Sequence, residues 1–292
     1  MPFQKTIKSE SLLTGIGIHS GKKINLKLIP APRDTGIVFY RKDKNFSIKA
    51  KLPFVVDTTF ATTLGIDGIK IRTVEHLLAT LYSLGITNLF IEIDSSEVPV
   101  MDGSAIDFTK AIKKAGIAKQ GKSLSIFKIT KPFFYEESHS KIFAKPYKGF
   151  RITYKIFYDH PLIKEQSLSI EINEQNFINE IAPARTFGFL KDIHFLLKNG
   201  FAKGGSLENA LVLDEKGIIG GSLRFKDEFV RHKILDAIGD LSLVGYPIQG
   251  HFIIEKGGHT SHINFLRKII ETGSYELVEE PYFNLRLSTQ TI

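Results

Sequence analysis

Hydrophobic and polar positions alternate along the first third of the chain, which predicts β-strands separated by polar turns. Three such segments lie between residues 21 and 66, where glycine and proline mark the turns. The spacing then changes to that of an amphipathic helix at residues 74–85, with Thr73 as its predicted N-cap. A strand at 87–94 and a second helix at 106–116 follow, and both predicted helices end at a glycine.

The same order of elements recurs further along the chain. Strand patterns after residue 122 lead to a helical pattern at 229–245 and then to a strand at 251–257. Two copies of one α+β unit would place His76 and His232 at comparable points of equivalent helices, and a pseudo-twofold arrangement would bring them together.

The polar, glycine-containing run KQGKS at 119–123 predicts a domain boundary. We therefore predict an N-terminal α+β domain over residues 1–121 and a C-terminal α+β domain over residues 122–292.

Composition narrows the chemistry. The 292 residues, 42% of them hydrophobic, are enough for one large domain or two ordinary ones. The absence of cysteine excludes disulfides, thiolate metal sites and thiol nucleophiles, so a metal would need His, Asp or Glu ligands. The N-terminus lacks the apolar run of a secretory signal, and no stretch is long enough for a membrane span. We expect a cytoplasmic protein.

The formal net charge of +8 would suit an anionic partner such as a phosphate, a nucleic acid or an acidic membrane surface. The charges are scattered, however, and no basic block marks a nucleic-acid arm. A lysine-rich proteome explains the same excess, so a non-catalytic anion binder remains an alternative on charge alone.

One helical segment carries candidate metal ligands. His232 and Asp236 are one turn apart and can reach a single ion, although a surface pair has the same spacing. A catalytic zinc needs a third protein ligand, for which His76 is the candidate. Glu75 beside it could approach a water on the metal, but an acid is also common where a helix begins.

Further candidates for catalysis or substrate binding lie in two other segments. His259 follows two glycines and His262 comes three residues later, and nothing intrinsic separates them. The stretch PARTFGF offers the hydroxyl of Thr186 and the ring of Phe187, and an ordinary turn would explain it equally well.

Six segments taken together resemble a known family. They are GIGIHSGKK, RTVEHLLATLYSLGITN, VPVMDGSA, ARTFGF, FVRHKILDAIGDL and GGH, and the resemblance runs from about residue 6 to about residue 270. In this order and spacing they resemble the UDP-3-O-acyl-N-acetylglucosamine deacetylases, zinc amidohydrolases of bacterial lipid A biosynthesis. The resemblance implies an α+β fold of two similarly built domains, each a sheet layered on helices, with the active site at their interface.

The resemblance also implies site residues. One catalytic zinc ion would be held by His76, His232 and Asp236. The catalytic groups would be Glu75 as general base, His259 as general acid, Asp240 orienting that histidine, and Thr186 stabilising the oxyanion. The substrate contacts would be Thr186, Phe187 and Lys233, with His160 near the nucleotide.

The implied reaction removes the N-acetyl group from UDP-3-O-(3-hydroxyacyl)-N-acetylglucosamine, giving UDP-3-O-(3-hydroxyacyl)-glucosamine and acetate, the committed step of lipid A biosynthesis. An insert at about 188–214 would bind the acyl chain, although an ordinary amphipathic helix and turn fits the same residues. The implied partner is the UDP-linked sugar, with no nucleic acid, a monomeric state and a transient approach to the membrane surface. A zinc amidohydrolase acting on a different amide is the alternative. Residues after 273 carry no assigned function.

Overall fold

The computed structural model describes residues 3–279 of the chain. The elements of the first half are β1 (Phe3–Ile7), β2 (Ser11–Ile16), β3 (Lys23–Pro30), β4 (Ile37–Arg41), β5 (Phe46–Lys49), β6 (Val55–Asp57), β7 (Thr63–Ile66), β8 (Ile69–Ile71), α1 (Glu75–Ser83), β9 (Leu89–Ile93), α2 (Ile106–Ala115) and β10 (Ile117–Ser123).

The second half begins with a run of strands and carries the longest helices. Its elements are β11 (Ile126–Ile129), β12 (Phe133–Glu137), β13 (Ser140–Lys145), β14 (Phe150–Tyr158), β15 (Lys164–Glu171), α3 (Glu174–Asn176), β16 (Phe187–Phe189), α4 (Leu190–Lys198), β17 (Leu211–Leu213), β18 (Ile218–Ile219), α5 (Glu228–Ser242), β19 (Ile248–Glu255), α6 (His259–Thr272) and β20 (Tyr275–Val278).

Two sheets share one strand order. The first runs β2-β3-β9-β4-β5, and the second contains β12-β13-β19-β14-β15, extended by β11 and β20. In each, the central strand is antiparallel to one neighbour, β3 or β13, and parallel to the other, β4 or β14. Each central strand is preceded by one helix and followed by another. The α+β class and the repeat predicted from the sequence are therefore confirmed in the topology.

Helices α1 and α5 pack against each other between the two units. They lie in close contact at Gly239, where an added Cβ would be 2.1 Å from the backbone oxygen of Glu75. Glycine inside a helix costs about 1 kcal/mol relative to alanine, and this contact explains its use here. The predicted apolar face of α5, including Ile234 and Ile238, is buried, and so is its charged face. Helix α5 is thus a core helix rather than a surface one.

Residues 119–123, predicted to be a polar linker, instead form part of strand β10, which pairs antiparallel with β1. The boundary predicted between residues 121 and 122 falls within this strand. The division into domains 1–121 and 122–292 stays a prediction, and residues 280–292 of the second lie outside the described residues.

Two local predictions were wrong. Thr73 does not cap α1, because the helix follows Val74 as its N-cap and no side chain caps it. Thr73 has a positive φ of 60°, and its hydroxyl donates to Glu97 at 3.3 Å. Strand β15, which pairs with β14 along its whole length, was not predicted: its first half is polar, and only Leu168 and Ile170 mark an apolar face.

The insert predicted at about 188–214 contains helix α4 and most of a small sheet of β16, β17 and β18. Among the described residues, no helix is both long and apolar enough to cross a membrane.

Candidate metal centre and its surroundings

Three predicted ligands from the two units meet at one point. His76 is the second residue of α1, whereas His232 and Asp236 lie one turn apart on α5. The Nε2 atoms of both histidines are 3.4 Å from Oδ1 of Asp236, and all three side chains are buried. The helix contact at Gly239 is what brings the two units' ligands this close.

The spacing of these atoms fits a metal ion. Zinc binds His nitrogen and carboxylate oxygen at about 2.0–2.2 Å, and tetrahedral geometry then separates the ligand atoms by about 3.3–3.5 Å. Nδ1 of His232 bonds to the carbonyl oxygen of Ala184 at 3.1 Å, which leaves Nε2 facing the group. Burial lowers the pKa of His232 to about 4, so its ring is neutral and its lone pair is available.

Asp236 is held by the neighbouring lysine. Lys233 Nζ donates to Oδ2 of Asp236 at 2.6 Å, which leaves Oδ1 for the histidines. Burial would raise the pKa of Asp236, but Lys233 and His232 hold it well below its ordinary value. Lys233, the predicted substrate contact, thus lies against a predicted ligand, and it also lines the adjacent cavity.

Glu75 is the first residue of α1 and is buried beside the three ligands. One of its carboxylate oxygens accepts a hydrogen bond from the backbone N–H of Thr62 at 3.1 Å. Burial raises the pKa of Glu75, which favours a carboxyl group able to exchange a proton near neutral pH.

A second group of two histidines and an aspartate adjoins the first. Oδ2 of Asp240 lies 2.8 Å from Nδ1 of His259 and 2.8 Å from Nδ1 of His262. Its Oδ1 accepts the hydroxyl of Thr62 at 2.5 Å. Thr62 therefore contacts both Glu75 and Asp240, and nothing in the surrounding FATT run marks it as part of the site.

The two histidines of this second group differ in exposure. Burial would lower the pKa of His259, but Asp240, together with Glu75 and Asp236, raises it to about 9. His262 is fully buried, and burial lowers its pKa. Of the two, only His259 lines the cavity described below. The structure thus separates two histidines that the sequence leaves equivalent.

The turn that carries Thr186 is fixed by a buried ion pair. Arg185 Nε donates to Glu228 at 2.8 Å, and Glu228, at the start of α5, is fully buried. The ion pair fixes the backbone around residue 185, and the neighbouring carbonyl oxygen of Ala184 contacts His232. Neither Arg185 nor Glu228 was predicted, because an Arg and a Glu 43 residues apart carry no pairing signal in the sequence.

A cavity of about 770 Å³ opens beside both groups. Thr186, Phe187 and Lys233 line it together with Glu75, the three candidate ligands and His259. Apolar residues of the insert form the far wall: Leu190, Ile193, Phe195, Leu196, Leu207 and Val212. The structure therefore joins the polar groups to an apolar space lined by the insert.

His160 is not among the residues that line this cavity. Its Nδ1 accepts the backbone N–H of Leu162 at 3.2 Å, and its Nε2 lies 2.7 Å from the carbonyl oxygen of Asp214. Both ring nitrogens are thus bonded within the protein. The structure does not bring His160 to the other predicted residues, and a substrate contact there stays a prediction.

The α+β fold and the buried His, His, Asp group beside a carboxylate define a metal-dependent hydrolase. A model of the family described as UDP-3-O-acyl N-acetylglycosamine deacetylase matches residues 4–271. The chain belongs to this family, and the resemblance predicted from its motifs is confirmed.

Relatives cover the whole chain. A protein named UDP-3-O-acyl-N-acetylglucosamine deacetylase from Thermodesulfovibrio yellowstonii is 86% identical over 292 residues, which cover 100% of both chains. Proteins of the same name from Oleidesulfovibrio alaskensis and Syntrophus aciditrophicus are 49% and 47% identical. These alignments cover 92% and 93% of this chain, and 89% and 87% of the relatives.

Proposed function

We propose that this protein is a zinc-dependent deacetylase that removes the N-acetyl group from UDP-3-O-(3-hydroxyacyl)-N-acetylglucosamine. The products are UDP-3-O-(3-hydroxyacyl)-glucosamine and acetate, and the reaction is the committed step of lipid A biosynthesis. The observation that carries the proposal is the His76, His232 and Asp236 group, with 3.4 Å spacings, beside buried Glu75 at one end of an apolar cavity. The names of the relatives support the choice of substrate.

Zinc would be held by His76, His232 and Asp236, whose nitrogen and carboxylate donors suit this ion. When bound, it would acidify a water molecule and polarise the amide carbonyl, as zinc does in other hydrolases. Lys233 keeps Oδ2 of Asp236 occupied, so this carboxylate would offer a single oxygen, Oδ1.

Glu75 would accept the proton of the attacking water. Its burial favours a basic carboxylate, and the backbone N–H of Thr62 fixes one of its oxygens. Because a carboxylate is planar, this hydrogen bond also restricts the position of the second carboxylate oxygen of Glu75. A positioned base of this kind typically contributes about 10²–10⁴-fold in rate.

His259 would donate a proton to the departing amine from Nε2, because Nδ1 is bonded to Asp240. Asp240 would keep that ring cationic and oriented. Thr186 lines the cavity and would donate to the developing oxyanion, and a single such donor typically contributes about 10²–10³-fold.

The substrate's two ends make different demands. The apolar part of the cavity, walled by the insert, would take the acyl chain, and Phe187 would pack against the sugar side. Lys233 lines the same cavity and would face the anionic part of the substrate.

We further propose a cytoplasmic monomer whose insert approaches the membrane surface transiently to take up the acyl chain. Exposed side chains of the insert support this approach: Leu190, Phe195, Leu197 and Leu207. No nucleic-acid partner is proposed, because the charges behind the net value of +8 are scattered along the chain.

The direct test measures metal content and acetate release on one purified sample. We expect about one zinc per chain, loss of activity with a chelator and recovery with added zinc. Glu75→Gln should retain zinc and lose about 10²–10⁴-fold in turnover. Normal turnover of Glu75→Gln would exclude Glu75 as the base.

The substrate class is tested by comparing the UDP-linked sugar with and without its O-acyl chain. Each buried methylene contributes about 0.8 kcal/mol, so the acylated substrate should have at least about tenfold higher kcat/KM. Equal values would contradict acyl binding and would favour an amidohydrolase for a different amide.

A further inference from the structure

Two buried residues behind Asp240 have no part in the proposed reaction. Tyr154 lies on β14 and His262 on α6, and both are fully buried. Neither lines the cavity of about 770 Å³. The Tyr154 hydroxyl is 3.1 Å from Nε2 of His262, and Nδ1 of His262 is 2.8 Å from Oδ2 of Asp240. The pair thus reaches Asp240 through side chains that do not line the cavity.

The direction of these hydrogen bonds follows from the charge of Asp240. His259 and His262 hold the pKa of Asp240 far below its ordinary value despite burial, so the carboxylate is ionised and only accepts. Nδ1 of His262 must therefore carry its proton. Burial keeps this ring neutral, so Nε2 accepts from the hydroxyl of Tyr154, whose pKa burial raises.

We propose that Tyr154 and His262 form a buried chain of donors that positions Asp240 and moderates its hold on His259. Both histidines donate to the same oxygen, Oδ2, so His262 takes part of the negative charge that His259 would otherwise have to itself. His262 is a positioning residue, because it acts through Asp240 without contact to the substrate. The proposal deepens the proposed function and rests on the Asp240 and His259 roles stated there.

Close packing against Gly257 restricts the positions of the Tyr154 and His262 side chains. A Cβ added at Gly257 would lie 2.7 Å from the Tyr154 hydroxyl oxygen and 2.9 Å from Nε2 of His262. The turn before α6 must therefore lack a side chain for the pair to fit. A hydrogen bond enclosed in this way is stronger than one in water.

Other charges around the two histidines are few and come from several elements. His259 faces Asp240 and Asp236 from α5, Glu75 from α1 and His19 from the loop after β2. His262 faces Asp240 and Lys233 from α5. None of these groups except Asp240 hydrogen-bonds to His262, so the effect of removing His262 should reach His259 through Asp240.

The first test is the position of the His262 proton. Nitrogen-15 NMR of the histidine rings in the zinc-loaded protein should show His262 as the Nδ1–H tautomer. Tyr154→Phe removes the donor at Nε2 and should shift the Nε2 resonance, while Nδ1 keeps its proton because Asp240 still accepts from it. Tyr82→Phe is the matched control: Tyr82 packs beside Phe150, its oxygen accepts from Ile248 N–H at 2.7 Å, and it has no contact with Asp240. An Nε2–H tautomer in the unaltered protein would overturn the proposal.

The second test is the NMR titration of His259 in the same zinc-loaded samples. His262→Leu should raise the pKa of His259 by about one unit, because Asp240 then has one donor fewer at Oδ2. His262→Asn can place its amide nitrogen where Nδ1 lies and should restore the pKa to within about 0.3 units. The alkaline limb of kcat/KM should move with the His259 pKa.

Two outcomes of the titration would contradict the proposal. An unchanged His259 pKa in His262→Leu would mean that His262 does not moderate Asp240. Equal shifts in His262→Leu and His262→Asn would assign the effect to packing instead of a hydrogen bond. Because the titration needs no turnover, its result is independent of whether the protein deacetylates the proposed substrate.

Discussion

Two adjacent groups in this protein have the same composition, two histidines and one aspartate, yet they are suited to different chemistry. The first group is buried and the second is buried except for partly exposed His259, and their aspartates, Asp236 and Asp240, are one turn apart on α5. In the first group the facing nitrogen and oxygen atoms are 3.4 Å apart, whereas in the second they are 2.8 Å apart. The first spacing leaves room for a cation between the atoms, whereas the second is the length of a direct hydrogen bond.

The remaining carboxylate oxygen of each aspartate explains the difference. In Asp236 it accepts the ammonium of Lys233, and in Asp240 it accepts the hydroxyl of Thr62. Lys233 neutralises Asp236 without using the oxygen that faces the histidines. Thr62 is uncharged, so the charge of Asp240 remains for His259 and His262. Residue composition is therefore the same in the proposed metal site and in the proposed proton site, and the spacing and the second oxygen's partner differ between them.

The largest expected effect comes from exchanging the two aspartates for their amides. Asp236→Asn should lose most of its zinc, because an amide is a poor ligand and Lys233 loses its partner. Asp240→Asn should retain about one zinc per chain while turnover falls about 10²–10⁴-fold. The measurements are the zinc content and the rate of acetate release of both purified variants. Equal zinc loss in the two variants would show that the groups are not divided as the spacing indicates.

A smaller effect is expected on the pH dependence of the protein's free energy of unfolding, through the His259–Asp240 pair of the second group. The pKa of His259 is about 9 in the folded protein and near its ordinary 6.5 when unfolded. Its contribution is therefore complete below pH 6.5 and is lost as pH rises through 9, and it should amount to about 3 kcal/mol. Denaturant unfolding of the zinc-loaded protein across this range should show that loss, and His259→Gln should lack it. The same slope in both proteins would contradict the pairing with Asp240.

The smallest effect is predicted for Thr62→Val, which removes the donor to Oδ1 of Asp240 and keeps the backbone N–H bonded to Glu75. One hydrogen bond to a charged group contributes about 1.5–3 kcal/mol, so turnover should fall about 10–10²-fold with zinc retained. Thr63→Val is the matched control, because the neighbouring hydroxyl is equally buried and lacks a partner among residues 3–279. Equal losses in both variants would assign the effect to packing.

Much of the first group could be predicted from the sequence, and little of the second. His232 and Asp236 share a helix face by their spacing, and motif resemblance adds His76 and Glu75. Thr62 could not be found, because its role depends on which helices lie against the loop before β7. His262 has the same residue type as His259, and only its burial behind Asp240 separates them.

The fold shows the same division between local and distant signals. Helices α1 and α2 and the helical segment of α5 follow from apolar periodicity, and the recurrence of motifs predicts the repeated unit. The first half of β15 is polar, and only Leu168 and Ile170 mark an apolar face, so its sequence gives a weak strand signal and pairing with β14 holds it in place. The run at 119–123 forms a strand because β1 lies beside it.

The glycine at position 239 has a consequence for how this site tolerates change. Glu75 and His76 on α1 must stay at a fixed distance from the aspartates on α5. That distance is possible because Gly239 has no side chain where the two helices meet. A methyl group there would push Glu75 and His76 away from both aspartates at once. The proposed metal site and the proposed proton site therefore depend on the same distance between α1 and α5. A shift of either helix would change the geometry of both sites together.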